Sequence, residues 1–182
     1  GSELTRKQLL TIALIASDNR AASAIANSYP GGKLAFVKAM NVKAKQLDMF
    51  DTVFTDPTGL DKNNISTAFD LVKMAQASNQ YPLIRELTTS SYYEAFIKNK
   101  NKTLNYNNTN LLVRQGLWDI DVSKTGYIRE AGKCLLMQTK VLDRPIIMVF
   151  LKSYGKYTRT ADAKRAKQWL ENIHIQANLA KR

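Results

Sequence analysis

The stretch "ASDNRAASAIA" (residues 16–26) decides how this chain is read. The residues leading into it, "LTRKQLLTIALIA" (4–16), are apolar nearly all round, the pattern of a buried helix. Those after it, "RAASAIANSY" (20–29), are helical again. Between them Ser17, Asp18 and Asn19 carry three side chains that compete for backbone hydrogen bonds. The helix is therefore expected to break here and leave a polar turn held by a rigid neighbour. A second stretch, "SKTGY" (123–127), is its partner. It closes the run "LWDIDVSKTGY" (117–127), in which Trp118, Ile120 and Val122 alternate with Leu117, Asp119 and Asp121, a half-buried strand. Lys124 ends that strand, and Gly126 leaves room for another backbone to approach.

Outward from these two points, Pro30-Gly31-Gly32 ends the second helix and "KLAFVKAMNVKAKQLDM" (33–49) gives an amphipathic one. "DPTGLD" (56–61) is a turn. "STAFDLVKMAQAS" (66–78) is a helix with Ser66 or Thr67 as its N-cap, and Pro82 starts a short one, "PLIRELT". Then the pattern changes. "YYEAFI" (92–97) and "KTLNY" (102–106) form a hairpin, and residues 133–141 and 145–153 are strands joined at "LDR". "TADAKRAKQWLENI" (160–173) closes with a helix. Helices first, strands next and a helix last predict an α+β fold with an antiparallel sheet, as one domain over 1–182. Its helical part spans about 4–88, its sheet part about 91–153 and its last helix about 160–173. Ile146 to Leu151 is apolar without alternation, which suits a central strand covered on both faces. The strand 133–141 supplies one neighbour; the sequence offers no obvious second.

The chain has 182 residues and 27 basic against 15 acidic side chains, a net charge of +12. That balance favours anionic surroundings. No nucleic-acid fold signature accompanies it, so no nucleic-acid partner is expected. No apolar run approaches the ~18 residues that cross a bilayer. Cys134 is the one cysteine and His174 the one histidine. An intramolecular disulfide is excluded, and a Cys/His zinc site lacks ligands, so no metal or cofactor is expected. Cys134, within "CLLM", reads as a buried small hydrophobe. A Ser-His-Asp triad would have to use His174, near the C-terminal tail. An enzyme built on this chain would rather take a lysine or a carboxylate as its base.

Ser17-Asp18-Asn19 and Lys124-Thr125-Gly126 match two of the three motifs, S-x-N and K-T-G, of active-site serine enzymes acting on D-alanyl peptides or β-lactams. With "FVKAMNVKAKQLDM", "FTDPTGLD", "NISTAFDLVKMAQAS", "YPLIRELTT", "NTNLLV", "SKTGYIREAGKCLLM" and "YGKYTRTADAKRAKQWL" in order, the chain resembles the low-molecular-mass penicillin-binding proteins. These are the D-alanyl-D-alanine carboxypeptidases and endopeptidases of peptidase family S11, and the likeness is greatest to the endopeptidase branch. The resemblance covers nearly the whole chain. It implies a β-lactamase/transpeptidase-like fold and a periplasmic enzyme that cleaves peptidoglycan peptides through an acyl-enzyme and is acylated by β-lactams.

Residue by residue, the resemblance implies that Ser17 shuttles a proton to the leaving amine and that Asn19 hydrogen-bonds the substrate's peptide group. Lys124 adds positive charge to the cleft and bonds Ser17. Thr125 binds the substrate carboxylate, Gly126 leaves room for the substrate strand, and the Tyr127 N–H is one oxyanion-hole donor. A lysine of depressed pKa then activates the serine nucleophile. Two departures stand out. Family members often carry threonine two positions after the glycine of K-T-G, where this chain has Ile128, followed by Arg129. The third motif, S-x-x-K, occurs only as Ser153-Tyr-Gly-Lys156, after the last strand, where it reads as a loop. The family's nucleophile lies upstream of position 1. The chain is therefore expected to lack the family's N-terminal portion, to be inactive alone, and to partner a fragment carrying that serine. Two alternatives stand beside this reading. A class A-like β-lactamase relative would need E-x-x-L-N, which is absent. A non-catalytic module would bind D-alanyl peptides or murein through an incomplete cleft, and labelling by a fluorescent penicillin separates it from an enzyme.

Overall fold

A computed structural model describes residues 1–179; the last three residues of the expected domain, 180–182, lie outside the described residues. Five helices come first: α1 (Arg6–Ala16), α2 (Asn19–Asn27), α3 (Gly32–Gln46), α4 (Ala68–Asn79) and α5 (Pro82–Thr89). A hairpin of β1 (Tyr92–Ile97) and β2 (Lys102–Asn107) follows, then α6 (Leu111–Gln115). Strands β3 (Ile120–Ile128), β4 (Gly132–Val141) and β5 (Arg144–Ser153) lead into α7 (Thr158–Leu179).

The helix ends follow from local chemistry. Thr5 and Gln8 form a capping box at the start of α1, with Gln8 N–H donating to Thr5 Oγ1 at 3.2 Å and Thr5 N–H to Gln8 Oε1 at 2.8 Å. Thr67, rather than Ser66, caps α4 by accepting from Asp70 N–H at 3.2 Å, and Pro82 opens α5. Helix α1 is less enclosed than its composition suggests. Thr11, Ile12 and Ile15 are buried, while Leu10, Ala13 and Leu14 are half-buried, because the Leu14 side faces two open cavities. Helix α6 is absent from the sequence reading, although Asn110 caps its start and Gly116, at φ 64°, ends it. Helix α7 is longer than the 160–173 expected.

Strands β3, β4 and β5 form one antiparallel sheet in that order. Its core side packs on α6 and α7 through Leu112, Leu135, Met137, Met148 and Ala163, with Trp118 and Ile120 against them. Helices α4 and α5 approach the sheet from the other side, leaving an apolar groove of about 690 Å³ between Leu71, Met74, Ile84, Leu136 and Leu151. The alternation expected over 117–127 is interrupted: β3 starts only at Ile120, and a bulge between Ile120 and Val122 leaves Ile120 against the α6–α7 core while the buried Val122 turns to the groove side.

The apolar run 146–151 lies in β5, and the second neighbour that the sequence does not supply is missing among the described residues as well. The centre is β4, and β5 is an edge with no second strand partner among the described residues. Met148 is buried, but Ile146, Ile147, Val149 and Phe150 are only half-buried and Leu151 is 43% exposed.

Candidate active site

The first arm of the site is the elbow between α1 and α2. Ser17 ends α1 in the left-handed region, φ 54°, where a side chain is tolerated when the surrounding structure fixes it. Asp18 then caps α2 by accepting from Ala21 N–H at 3.0 Å and pairs with Arg20 at 2.9 Å. Burial would raise the Asp18 carboxyl, but its bonds from Arg20 and the Ala21 N–H outweigh that and hold it below the usual aspartate value. Asn19 opens α2 and is exposed toward the cleft. The elbow thus turns Ser17 and Asn19 outward while Asp18 holds the turn.

The second arm is the end of β3. Lys124 reaches across to Ser17, donating a hydrogen bond from Nζ to Oγ, and a second to its neighbour's carbonyl, Thr125 O, at 3.1 Å. The two motifs, 107 residues apart in sequence, are therefore in direct contact. Burial of the ammonium, and then the positive charge of Arg159, push Lys124 down from the usual lysine value of 10.5 to about 8. Thr125 is buried and donates from Oγ1 to Thr109 Oγ1 at 2.6 Å. Gly126 and Tyr127 are exposed. Gly126 needs no special backbone, and a Cβ built there would meet nothing closer than Cys134 Cβ at 3.7 Å. Nothing in the fold itself requires a glycine at that position. The Lys133 ammonium lies 4.3 Å from the centre of the Tyr127 ring.

Ser17, Asn19, Lys124, Thr125, Gly126 and Tyr127 all line one cavity of about 590 Å³. Its far wall is the loop 57–60. Asp56 fixes that loop, accepting from Thr58 N–H and Gly59 N–H at 3.0 Å each, and from the Thr58 hydroxyl and the Asn64 amide. Burial would raise Asp56, but those bonds prevail and keep it a carboxylate below its ordinary range.

Two residues of the cavity escape a reading of motifs. Thr109 stands between the arms, and Arg159 of α7 donates from Nη1 to Gly126 O at 3.3 Å and Cys134 O at 3.0 Å. The sequence held a signal for each, "NTN" and the basic start of α7, but neither motif says which side chain turns inward. Other candidates lie elsewhere. Ser153 is buried at the end of β5 and Lys156 sits in the exposed turn after it, outside this cavity, so that S-x-x-K is a loop feature. Cys134 is half-buried rather than buried, its thiol directed to Ala131 O at 3.6 Å beside the apolar groove. His174 is on α7, in a separate cavity with Leu142, Pro145 and Leu170. Ile128 is half-buried and Arg129 exposed, past the end of the cleft.

The arrangement is a cationic cleft with hydroxyls at its centre. It holds a lysine whose pKa is pushed down to about 8, an arginine anchored on the K-T-G strand, and no histidine. Among the described residues no three His, Cys, Asp or Glu side chains group to hold a metal ion, and no helix is long and apolar enough to cross a membrane.

The sequence pattern described as D-alanyl-D-alanine carboxypeptidase matches residues 1–154. The chain is 48% identical to the D-alanyl-D-alanine endopeptidase of Escherichia coli over 170 residues, 93% of this chain and 55% of that protein. It is 45% identical to the D-alanyl-D-alanine endopeptidase of Pseudomonas aeruginosa over 177 residues, 97% of this chain and 57% of that one. The structure superimposes on a Streptomyces DD-transpeptidase with a TM-score of 0.80 and 26% identity, covering 90% of this chain and 66% of the other. It also superimposes on penicillin-binding protein D2 of Listeria monocytogenes, in its cefotaxime-bound form, with a TM-score of 0.76 and 26% identity, covering 89% and 64%. The chain thus spans a little over half the length of these two endopeptidases.

Proposed function

This chain belongs to peptidase family S11, the D-alanyl-D-alanine carboxypeptidases, and from that premise we propose that it supplies the S-x-N and K-T-G walls of a serine DD-peptidase cleft. The single observation that carries this reading is the hydrogen bond from Lys124 to Ser17, which joins the two motifs inside one cationic cavity.

The nucleophile comes from a segment carrying S-x-x-K that this chain does not contain. The apolar groove between α4, α5 and the sheet suits a helix of that segment. The open edge of β5, with its half-buried apolar side chains, suits strands pairing alongside it. In the completed cleft the incoming serine attacks the carbonyl carbon of a D-alanyl peptide, and its proton passes to the lysine of its own motif. The Tyr127 N–H and the N–H of the incoming serine hold the developing oxyanion. As the carbon–nitrogen bond breaks, Ser17 gives its proton to the leaving amine and is refilled from the neighbouring lysines. Water then releases the acyl group as a carboxylic acid. Asn19 holds the substrate's peptide group. Thr125 takes its carboxylate beside the charges of Lys124 and Arg159. Gly126 is the close-approach point: the fold leaves space for a Cβ there, so the substrate backbone is the reason for its absence.

The substrates are D-alanyl peptides of peptidoglycan, cross-linked or linear, with β-lactams as acylating mimics. The place of action is the cell envelope, where such peptides are found, and the net charge of +12 favours retention there. A second reading has one observation behind it: the cavity contains no S-x-x-K serine, so the chain by itself binds D-alanyl peptides without cleaving them. The test supplies the 182-residue chain, with and without the S-x-x-K segment of a family member, and measures release of D-alanine and splitting of a cross-linked peptide. Hydrolysis only with both present supports the proposal. No hydrolysis by the complemented protein, or equal hydrolysis by the chain alone, overturns it.

A further inference from the structure

The strap "NNTN" (107–110) between β2 and α6 ties three successive side chains to three different parts of the molecule. Asn108, 3% exposed, donates from Nδ2 to Thr88 O at 3.0 Å and Ser90 O at 2.9 Å, at the end of α5. Asn110, 2% exposed, donates from Nδ2 to Ser123 Oγ on β3 at 2.8 Å and accepts from Leu112 N–H at 3.0 Å. The backbone N–H of Thr109 donates to Ile15 O, in the last turn of α1, at 3.1 Å. Thr109 is thereby clamped where both arms of the cleft converge. Its Oγ1 accepts from Thr125 Oγ1 at 2.6 Å and shares a hydrogen bond with Ser17 Oγ at 3.3 Å.

We propose that Thr109 is a positioning residue that couples the hydroxyl of Thr125 to the hydroxyl of Ser17, so that an anion bound at one end of the network reorients the proton at the other. A hydroxyl donates one hydrogen bond and accepts up to two. The Lys124 ammonium donates to Ser17 and, while charged, cannot accept in return. In the resting network Thr125 donates to Thr109, Thr109 donates to Ser17, and the Ser17 proton points into the cleft. When a carboxylate accepts the Thr125 hydrogen bond in place of Thr109, Thr109 loses its donor and can turn to accept from Ser17. Only rotations are involved; every proton stays on its own oxygen. A serine that must receive one proton and release another needs a partner able to switch between donor and acceptor. Thr109 is such a partner without any change of charge, whereas Lys124 must lose its proton first. The catalytic meaning of the coupling rests on the function proposed above; the coupling itself does not.

The deciding experiment is therefore run without catalysis. The titration midpoint of the Lys124 amine is followed by NMR in the wild-type chain, Thr109→Val, Thr125→Val and the double variant. Thr125→Val is expected to shift the midpoint differently in the two backgrounds, by about threefold or more in the acid dissociation constant. Thr109→Ser is expected to preserve that coupling. Thr109→Ala serves as a second hydroxyl-free variant should Val disturb packing. Identical shifts with and without the Thr109 hydroxyl, or a serine variant that behaves like valine, would overturn the proposal. In the complemented enzyme, the preference for a penicillin over its methyl ester is expected to shrink about fivefold in Thr109→Val and to survive in Thr109→Ser. An unchanged preference counts against the relay, while failure of the wild type to be acylated at all counts against the proposed function and leaves the titration result standing.

Discussion

The S-D-N elbow and the K-T-G strand meet at one hydrogen bond but are held by different means. The elbow is fixed mostly from within, by a left-handed Ser17, an Asp18 cap on Ala21 and an Arg20 partner, all inside five residues, with Thr109 its one anchor from the strap. The strand is fixed from far away. Arg159 reaches it from α7, Asn110 grips Ser123, and Thr109 meets Thr125. A local device tolerates damage because its neighbours still form helices. A long-range device carries buried polar groups and charge, so its failure is costlier.

Breaking the strand arm should give the largest effect. In the complemented enzyme, Lys124→Met is expected to lower penicillin acylation by about 10²-fold or more, since it removes both the cleft charge and the partner of Ser17. Stability should move the other way. Lys124 titrates at about 8 in the folded chain against 10.5 in the unfolded one, so the unfolded chain binds more protons between those values. Stability is therefore expected to rise as pH climbs from about 8 to about 10.5, by at most roughly 3 kcal/mol, and to be flat below and above. Chemical denaturation across that range checks it, and Lys124→Met should flatten the slope and be the more stable protein near pH 7. A slope that persists in the variant would assign it to another group.

Smaller effects sharpen the contrast. Asn110→Ala leaves Ser123 Oγ and the Leu112 N–H without partners in a buried place, and should cost about 2 kcal/mol in urea unfolding. Asp18→Ala, on the elbow side, removes one helix cap and an exposed ion pair, and should cost about 1 kcal/mol. Equal costs would dissolve the distinction between the arms. Gly126→Ala is expected to unfold like the wild type within about 0.5 kcal/mol while losing acylation in the complemented enzyme, because the fold has room for the methyl group and the substrate does not.

The same contrast explains what could be read from the sequence. The elbow was legible because its causes lie within eleven residues: an apolar helix, three backbone competitors, another helix. The hairpin was legible from two strand-like runs, 92–97 and 102–106, around a polar Asn/Lys loop, β3 from alternation that misses its bulge after Ile120, and Thr67 and Pro82 from their place before apolar runs. Thr109 and Arg159 were not, because a lone threonine or arginine becomes part of a site only when the chain returns from a distance to meet it. Helix α6 is too short for periodicity to register. The run 146–151 was legible as a strand with one neighbour in this chain, but composition reports what a strand can bury and not what covers it, and β5 is an edge with its apolar residues half-exposed.

The central claim, that this chain forms the walls of a serine DD-peptidase cleft but not its nucleophile, is tested most directly by mapping a penicillin adduct by mass spectrometry. The complemented protein should carry one adduct, on the serine of the S-x-x-K segment, with none on the 182-residue chain alone. An adduct on Ser17 or Ser153 of the isolated chain, or none in the complemented protein, would contradict the account.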